Sequence, residues 1–104
     1  MTRLYVLVRK DLPPAQQAVQ ACHAVAEYLL SSPDPAWKNQ NLVLLHVPDE
    51  AALWALWKRA CEYYTGGEYF LEPDLNDQLT AVCIVENKHT KAFTRGLPLL
   101  ELSA

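Results

Sequence analysis

Glycine and positive charge are both in short supply in this chain. It has three glycines, too few to build a glycine-rich loop for binding phosphates. Lysine and arginine number 9 against 12 aspartates and glutamates, which gives a net charge of −3 and an isoelectric point near 5.5. Proteins that bind phosphates usually present a basic surface, so this balance argues against nucleic acid as the main partner, and we expect no DNA partner. No apolar run approaches the ~20 residues that a membrane span needs, so we expect no membrane partner either.

Cysteine is also sparse. The three cysteines, Cys22, Cys61 and Cys83, are odd in number and lie in apolar stretches, which predicts reduced, buried thiols in a cytoplasmic protein. The opening residues 1–4 lead into a strand rather than a signal peptide, and this also favours the cytoplasm. The other residues of metal-binding type are the three histidines, His23, His46 and His89. None of these side chains shows a ligand spacing such as Cys-x-x-Cys, so the sequence predicts no metal site, and we expect no cofactor.

The chain does have enough apolar residues for one core. At 104 residues and 51% hydrophobic composition, it is predicted to form one domain over residues 1–104. A domain of this size buries only about two-thirds of its unfolded surface, so its stability margin is thin. Three tryptophans and five tyrosines suit an interface core, and we therefore expect a homodimer. The alternative is that the same aromatic residues fill the core of a monomer.

The apolar pattern predicts the element order β-α-β-α-β-β-α. Strands are expected at four runs rich in β-forming residues, which are 4–8, 42–47, 68–71 and 80–85. Helices are expected over roughly 13–30, 49–64 and 88–94. Two strand–helix–strand crossovers imply parallel strands, and the short link between the last two strands implies an antiparallel pair. The predicted fold class is α/β, a single domain with a mixed four-stranded sheet flanked by helices.

The first predicted helix has two contrasting faces. Its apolar stripe is expected to pack on the sheet and comprises Ala15, Ala18, Cys22, Val25, Ala26 and Leu29. Its polar stripe is expected to face solvent or to line a cleft and comprises Gln16, Gln20, His23 and Glu27. In the second helix, Asp49 is expected to accept a hydrogen bond from the first turn, and Gly66-Gly67 to end the helix with positive φ.

The first strand and helix together carry a motif. The segment Val-Leu-Val-Arg-Lys-Asp-Leu at 6–12 leads into a helix that contains Gln-Ala-Cys-His-Ala at 20–24. This arrangement resembles the opening of type 2 peptidyl-tRNA hydrolases, which have an Arg-x-Asp-Leu strand end followed by a Gln-x-x-His-Ala helix. The similarity continues in order over nearly the whole chain, through Trp37, 41–44, 47–50 and the last strand. It implies that family's fold and the cleavage of the ester between a nascent peptide and the 3′ end of tRNA, by water that polar side chains activate without a metal.

The resemblance also implies a set of catalytic residues. Gln20 and His23 match the family's helix glutamine and histidine. Asp74 falls where the family has the aspartate of an Asp-Ala-Gly-x-Thr loop, and Thr80 lies near the threonine that opens the last strand. Asp74 also suits an ordinary turn position after proline, and Thr80 an ordinary strand position. The position of the family's catalytic lysine is held by Gln16, which cannot carry positive charge.

Two short groups of basic residues could bind the phosphates of a tRNA substrate. One group follows the first strand, and the other is near the C-terminus. The residues expected to bind substrate are Arg9, Lys10, Gln16, Lys88 and Lys91. Arg95 is a further basic residue close to Lys91 in the sequence. The two groups can bind phosphates together only if the fold brings them into one patch. Otherwise they form a solvated face.

Three functions stay open at this point. The first is hydrolysis of peptidyl-tRNA. The second is a non-catalytic relative that serves as a protein-binding or dimerisation module, favoured by Gln16 in place of lysine and by the acidic residues at 68–77. The third is an enzyme that uses the same cleft for a different ester or amide. The enzyme readings require that the polar side of the first helix and the acidic turn face each other across a hollow.

Overall fold

Four strands and three helices follow one another in the predicted order. A computed structural model of the protein describes residues 2–101. The elements are β1 (Arg3–Arg9), α1 (Pro14–Ser31), β2 (Asn41–Val47), α2 (Glu50–Glu62), β3 (Gly67–Glu72), β4 (Gln78–Val85) and α3 (Thr90–Thr94), with one turn of 3-10 helix at Pro73–Leu75. The structure confirms the order β-α-β-α-β-β-α, although α3 begins two residues later than predicted.

The sheet is mixed, with strand order β2-β1-β4-β3. Strand β1 pairs parallel with β2 and antiparallel with β4, and β3 pairs antiparallel with β4. Strand β3 therefore runs in the same direction as β1 and β2, as a crossover requires, but it lies at the far edge of the sheet. The predicted α/β class with a mixed four-stranded sheet is confirmed.

Each face of the sheet is covered by helix. Because successive side chains of a strand point to opposite faces, the four strands supply two separate cores. One core joins β1 and β4 to α1, and it includes Leu4, Val6, Ala24, Tyr28 and Cys83. The other lies under α2 and α3, and it includes Leu7, Leu53, Val82, Ile84 and Phe93. Within residues 2–101, no helix is both long enough and apolar enough to cross a membrane.

Helix α1 buries a different face from the one predicted. Its buried residues are Gln17, Gln20, Ala21, Ala24 and Tyr28. Most of the predicted apolar stripe, including Ala15 and Leu29, is exposed, so the prediction that it packs on the sheet is wrong. The helix tolerates two glutamines beneath it because both amides are fully hydrogen-bonded, which removes most of the penalty for burying them.

The cysteine prediction is correct for one thiol only. Cys83 is buried in β4 with its Sγ 3.3 Å from the carbonyl oxygen of Ala24, whereas Cys22 and Cys61 are exposed. Burial raises the pKa of the Cys83 thiol to about 12. The other two thiols lie on the outer faces of their helices, although the preceding residues Ala21 and Ala60 are buried, because adjacent helix residues point about 100° apart.

Helix α2 begins as predicted and ends differently. Asp49 accepts a hydrogen bond from the Ala52 backbone N–H at 2.9 Å, which confirms the predicted cap. At the other end Tyr64, not a glycine, takes the left-handed conformation, with φ of 55°. Gly67 instead belongs to β3, where a Cβ atom would overlap the carbonyl oxygen of Cys83. The glycine is needed for the close approach of two strands.

Candidate functional site

A β-bulge turns one polar side chain of β4 towards α1. The pairing of β3 with β4 shifts register between Phe70 and Leu71, so Thr80 is left without a partner in β3. A bulge of this kind re-aims the side chain of the extra residue. The Thr80 hydroxyl points at the Gln20 side chain of α1 and donates a hydrogen bond to its Oε1 at 2.6 Å.

The Gln20 amide is the buried centre of a polar cluster, which we call the Gln20 cluster: Gln16, Gln20, Glu72 and Thr80. Gln20 Nε2 donates to Gln16 Oε1 at 3.1 Å and to Glu72 Oε1 at 2.9 Å, while Oε1 accepts from Thr80. A carboxylate only accepts, so the contact with Glu72 fixes which end of the Gln20 amide is the nitrogen. Every polar atom of this amide is therefore bonded and its orientation is set.

Only the outer half of the Gln20 cluster reaches solvent. Gln20 and Thr80 are both 0% exposed, whereas Glu72 is half-buried and Gln16 is exposed. Within residues 2–101, Glu72 Oε2 receives no hydrogen bond, and the Gln16 NH₂ group donates none. A molecule approaching this part of the surface would meet one carboxylate oxygen and one amide NH₂, both held from behind by Gln20.

The other two predicted catalytic residues lie beside this cluster without joining it. His23 is exposed one turn further along α1, and its ring stacks on Phe70 at a centroid distance of 4.2 Å and an angle of 4°. Asp74 is exposed in the 3-10 turn, and no contact found within residues 2–101 links its carboxylate to Gln20 or His23. The polar side of α1 does meet the acidic segment, but through Glu72 rather than Asp74.

Glu72 is the functional candidate that the sequence reading missed. From the sequence it is only one of the acidic residues at 68–77, with no assigned role. The alternation of side chains along a strand could have identified Glu72. It is two residues after Phe70 and so points to the same face of β3. Once Phe70 is placed against α1, Glu72 must face the helix as well.

Arg9, predicted to bind substrate, is buried and bonded to other residues of the chain. Its Nε and Nη2 donate to the two carboxylate oxygens of Asp11, each at 2.9 Å, and Nη1 donates to Gln78 Oε1 at 2.9 Å. The side chain is buried, and the hydrogen bond with Asp11 raises the pKa of Arg9 and lowers the pKa of Asp11. The two bonds to Asp11 hold the guanidinium in place at the end of β1, and the bond to Gln78 joins it to the start of β4.

The remaining basic residues do not form one patch. Lys10 follows the end of β1, and Lys88 follows the end of β4. Because β4 runs antiparallel to β1, with Leu4 opposite Val85, the two lysines lie beyond opposite ends of β1, roughly 20 Å apart. Lys91 belongs to α3, close in sequence to Lys88, so phosphate binding across the whole predicted set would need a long substrate.

A second buried pair secures the segment that leads into α1. Gln17 Nε2 donates to the carbonyl oxygens of Lys10 and Leu12, at 3.2 and 2.6 Å, which leaves its Oε1 to accept from His46 Nε2 at 2.6 Å. His46 must therefore carry a proton on Nε2. Burial lowers the pKa of His46, and the charge of Lys10 lowers it further. The pair holds the β1–α1 loop next to Gln16.

Across residues 2–101, no group of three or more histidine, cysteine, aspartate or glutamate side chains is arranged to hold a metal ion.

The chain matches no family model and no curated protein sequence. Among solved structures it is similar to Atu0240, a protein of unknown function from Agrobacterium tumefaciens strain C58. The TM-score is 0.73 at 16% identity, over 96% of this chain and 98% of the other. At this identity the similarity shows a shared fold alone, the α/β domain with its four-stranded mixed sheet.

Proposed function

We propose that the protein hydrolyses the ester bond between a peptide and tRNA, at the solvent-facing half of the Gln20 cluster. The observation that carries this proposal is the fully buried Gln20 amide, which holds a half-exposed Glu72 carboxylate in a fixed position. Burying an amide and a hydroxyl in place of apolar side chains gives little stability to a small domain. Buried polar networks that orient an accessible carboxylate are typical of catalytic sites.

The chemistry follows from the accessible atoms. Glu72 Oε2 takes a proton from water, and the water oxygen attacks the ester carbonyl carbon. The Gln16 NH₂ group donates hydrogen bonds to the carbonyl oxygen as negative charge develops there. The ester C–O bond then breaks, and the proton passes from Glu72 to the 3′ oxygen of the tRNA. Gln20 and Thr80 do not touch the substrate in this scheme and act as positioning residues.

Gln16 takes over part of the role that the resemblance assigns to lysine. An amide supplies hydrogen bonds without charge, so it stabilises a developing oxyanion less strongly than an ammonium group would. Since the ester of peptidyl-tRNA is already activated, modest acid–base and hydrogen-bond assistance is sufficient. His23 adds a flat, exposed ring next to the cluster, on which the terminal base of tRNA can stack.

The direct test is turnover of labelled N-acetyl-aminoacyl-tRNA by the purified protein. We expect saturable hydrolysis above the spontaneous rate. Thr80→Val, which removes the bond to Gln20, should lower kcat at least about tenfold with little change in KM, because it disturbs positioning rather than binding. Thr80→Ser keeps the hydroxyl and is the matched control with near wild-type kcat. Absence of turnover at high protein concentration would exclude the proposal.

A second candidate is a non-catalytic, protein-binding relative of the same scaffold. The separation of Lys10 from Lys88, together with the net charge of −3, favours it. Recovery of a stable protein partner, with no tRNA retained at low salt, would support this function. Salt-sensitive binding of tRNA would count against it, because such binding reports phosphate contacts. A small activated ester offered in place of tRNA tests whether the cluster acts on esters that carry no RNA.

A further inference from the structure

The outward face of α1 is apolar, which is unusual for a surface helix. Val19, Leu29 and Leu30 are 44%, 42% and 84% exposed. Glu27 is the one charged residue among the 18 of the helix. A helix that covers a sheet normally presents charged and polar residues to water. An apolar face left in solvent marks a surface that another molecule covers.

This face continues into a groove between α1 and β2. The groove encloses about 440 Å³ and is lined by apolar side chains from the helix, from β2 and from the segment after α3, among them Ala18, Val25, Leu29, Leu42, Leu44 and Leu100. Leu42 is also 47% exposed at its rim. Helix face and groove together form one continuous apolar surface, which we call the α1 surface.

We infer that the α1 surface binds a second copy of this chain, with the two α1 helices antiparallel across a two-fold axis near Cys22. The order of side-chain sizes along the helix supports this occupant. Ala15 and Ala18 lie on the first half of the exposed stripe, and Ala26 and Leu29 lie on the second half. A two-fold axis at Cys22 places Ala15 opposite Leu29, and Ala18 opposite Ala26.

That arrangement makes the surface complementary to itself. Leu29 of each copy meets Ala15 of the other, and Ala18 meets Ala26, so the helices can approach closely and each Leu29 reaches the open groove. The distance along the helix is consistent, because Ala15 and Leu29 are each about 10 Å from Cys22 at 1.5 Å per residue.

Charge does not oppose a second copy at this surface. Each chain carries a net charge of −3, so two copies repel each other over most of their surfaces. The α1 surface brings them together on the side of the helix that carries least charge. Glu27 is the one charged residue of α1, and it lies about 140° round the helix from Cys22, away from the two-fold axis. The dimer does not rest on the proposed hydrolysis, and each can fail without the other.

Sedimentation velocity over a range of protein concentrations tests the dimer. We expect the wild type to sediment as a dimer, and Leu29→Glu to raise the dimer dissociation constant at least about tenfold, because it places a charge in the apolar contact. Tyr64→Glu is the matched control. Tyr64 is 95% exposed on the loop after α2, so its replacement should leave the dimer unchanged. Circular dichroism checks that both variants fold. A wild type that stays monomeric at millimolar concentration, or that binds lipid vesicles as a monomer, would overturn the inference.

Cysteine crosslinking tests the position of the axis. Cys22 and Cys61 are both exposed, on α1 and α2 respectively. With copper–phenanthroline and oxygen as oxidant, two Cys22 thiols near the axis should lose two electrons and two protons and form an intermolecular disulfide. Cys61→Ser should keep the crosslinked dimer, and Cys22→Ser should abolish it. Crosslinking that depends on Cys61 alone would place the contact elsewhere and contradict the α1 surface.

Discussion

Replacing Thr80 with valine isolates the buried hydrogen bond at the centre of the candidate site. Valine has nearly the shape of threonine, so the change removes the hydroxyl with little loss of packing. Gln20 Oε1 accepts from that hydroxyl at 2.6 Å, and both residues are 0% exposed. Without the hydroxyl, the Gln20 oxygen is buried with no donor.

The expected loss of stability follows from this unsatisfied oxygen. Leaving a buried acceptor without a partner costs about 1–3 kcal/mol, and the added methyl group offsets less than about 1 kcal/mol of this. We therefore expect Thr80→Val to lower the free energy of unfolding by about 1–2 kcal/mol. For a domain near 100 residues, this lowers Tm by about 4–16 °C.

Urea unfolding monitored by tryptophan fluorescence and circular dichroism measures the effect. Thr80→Ser retains the hydroxyl and should be less affected at this bond. In the double variant with Gln20→Leu, both partners are apolar, so the combined loss should be smaller than the sum of the single losses by at least about 0.5 kcal/mol. Additive losses, or a Thr80→Val protein as stable as the wild type, would show that the two side chains are not bonded as described.

Three further predictions test the fold around the site. Gly67→Ala should lower the free energy of unfolding by at least about 2 kcal/mol, because its Cβ would overlap the Cys83 carbonyl oxygen; urea unfolding measures this, and a neutral effect would contradict the strand approach. The lowered pKa of His46 means that the unfolded chain binds more protons just below pH 6.5, so stability should fall as pH drops through that value. His46→Gln should lose this part of the pH dependence, and an unchanged profile would assign it to another group. In alkylation of the native protein, Cys22 and Cys61 should react and Cys83 should react only on unfolding, because it is buried with a pKa raised to about 12; rapid reaction of all three thiols would contradict its burial.

The sequence was sufficient for the architecture because the strands carry strong local signals. Runs such as 4–8 and 80–85 are apolar, and proline and aspartate mark the starts of the first two helices. Crossover handedness and link length then limit the topology to a few choices. Which strand lies at the far edge depends on side-chain packing between elements, and local pattern does not contain that information.

The orientation of α1 was less predictable, for a physical reason. Two neighbouring stripes of α1 repeat at the same three- and four-residue spacing, so the spacing does not distinguish them. Hydrophobicity predicts burial of the more apolar stripe, which is the one that the structure leaves exposed. The stripe that is buried includes Gln17 and Gln20, whose partners, His46 and Thr80, come from distant parts of the chain. Apolar periodicity therefore predicts, wrongly, that the apolar stripe is buried. The sequence links Gln20 with Thr80 only through the resemblance to type 2 peptidyl-tRNA hydrolases.

The most direct test of the proposed chemistry is the single-turnover rate of peptidyl-tRNA hydrolysis, with protein in excess, for the wild type and for Glu72→Gln. The variant keeps the shape of the side chain and the contact with Gln20 but cannot accept a proton from water. The mechanism predicts that the wild-type rate exceeds the spontaneous rate and that Glu72→Gln lowers it at least about a hundredfold without unfolding the protein. Equal rates for the two proteins would contradict the role of Glu72 as the base.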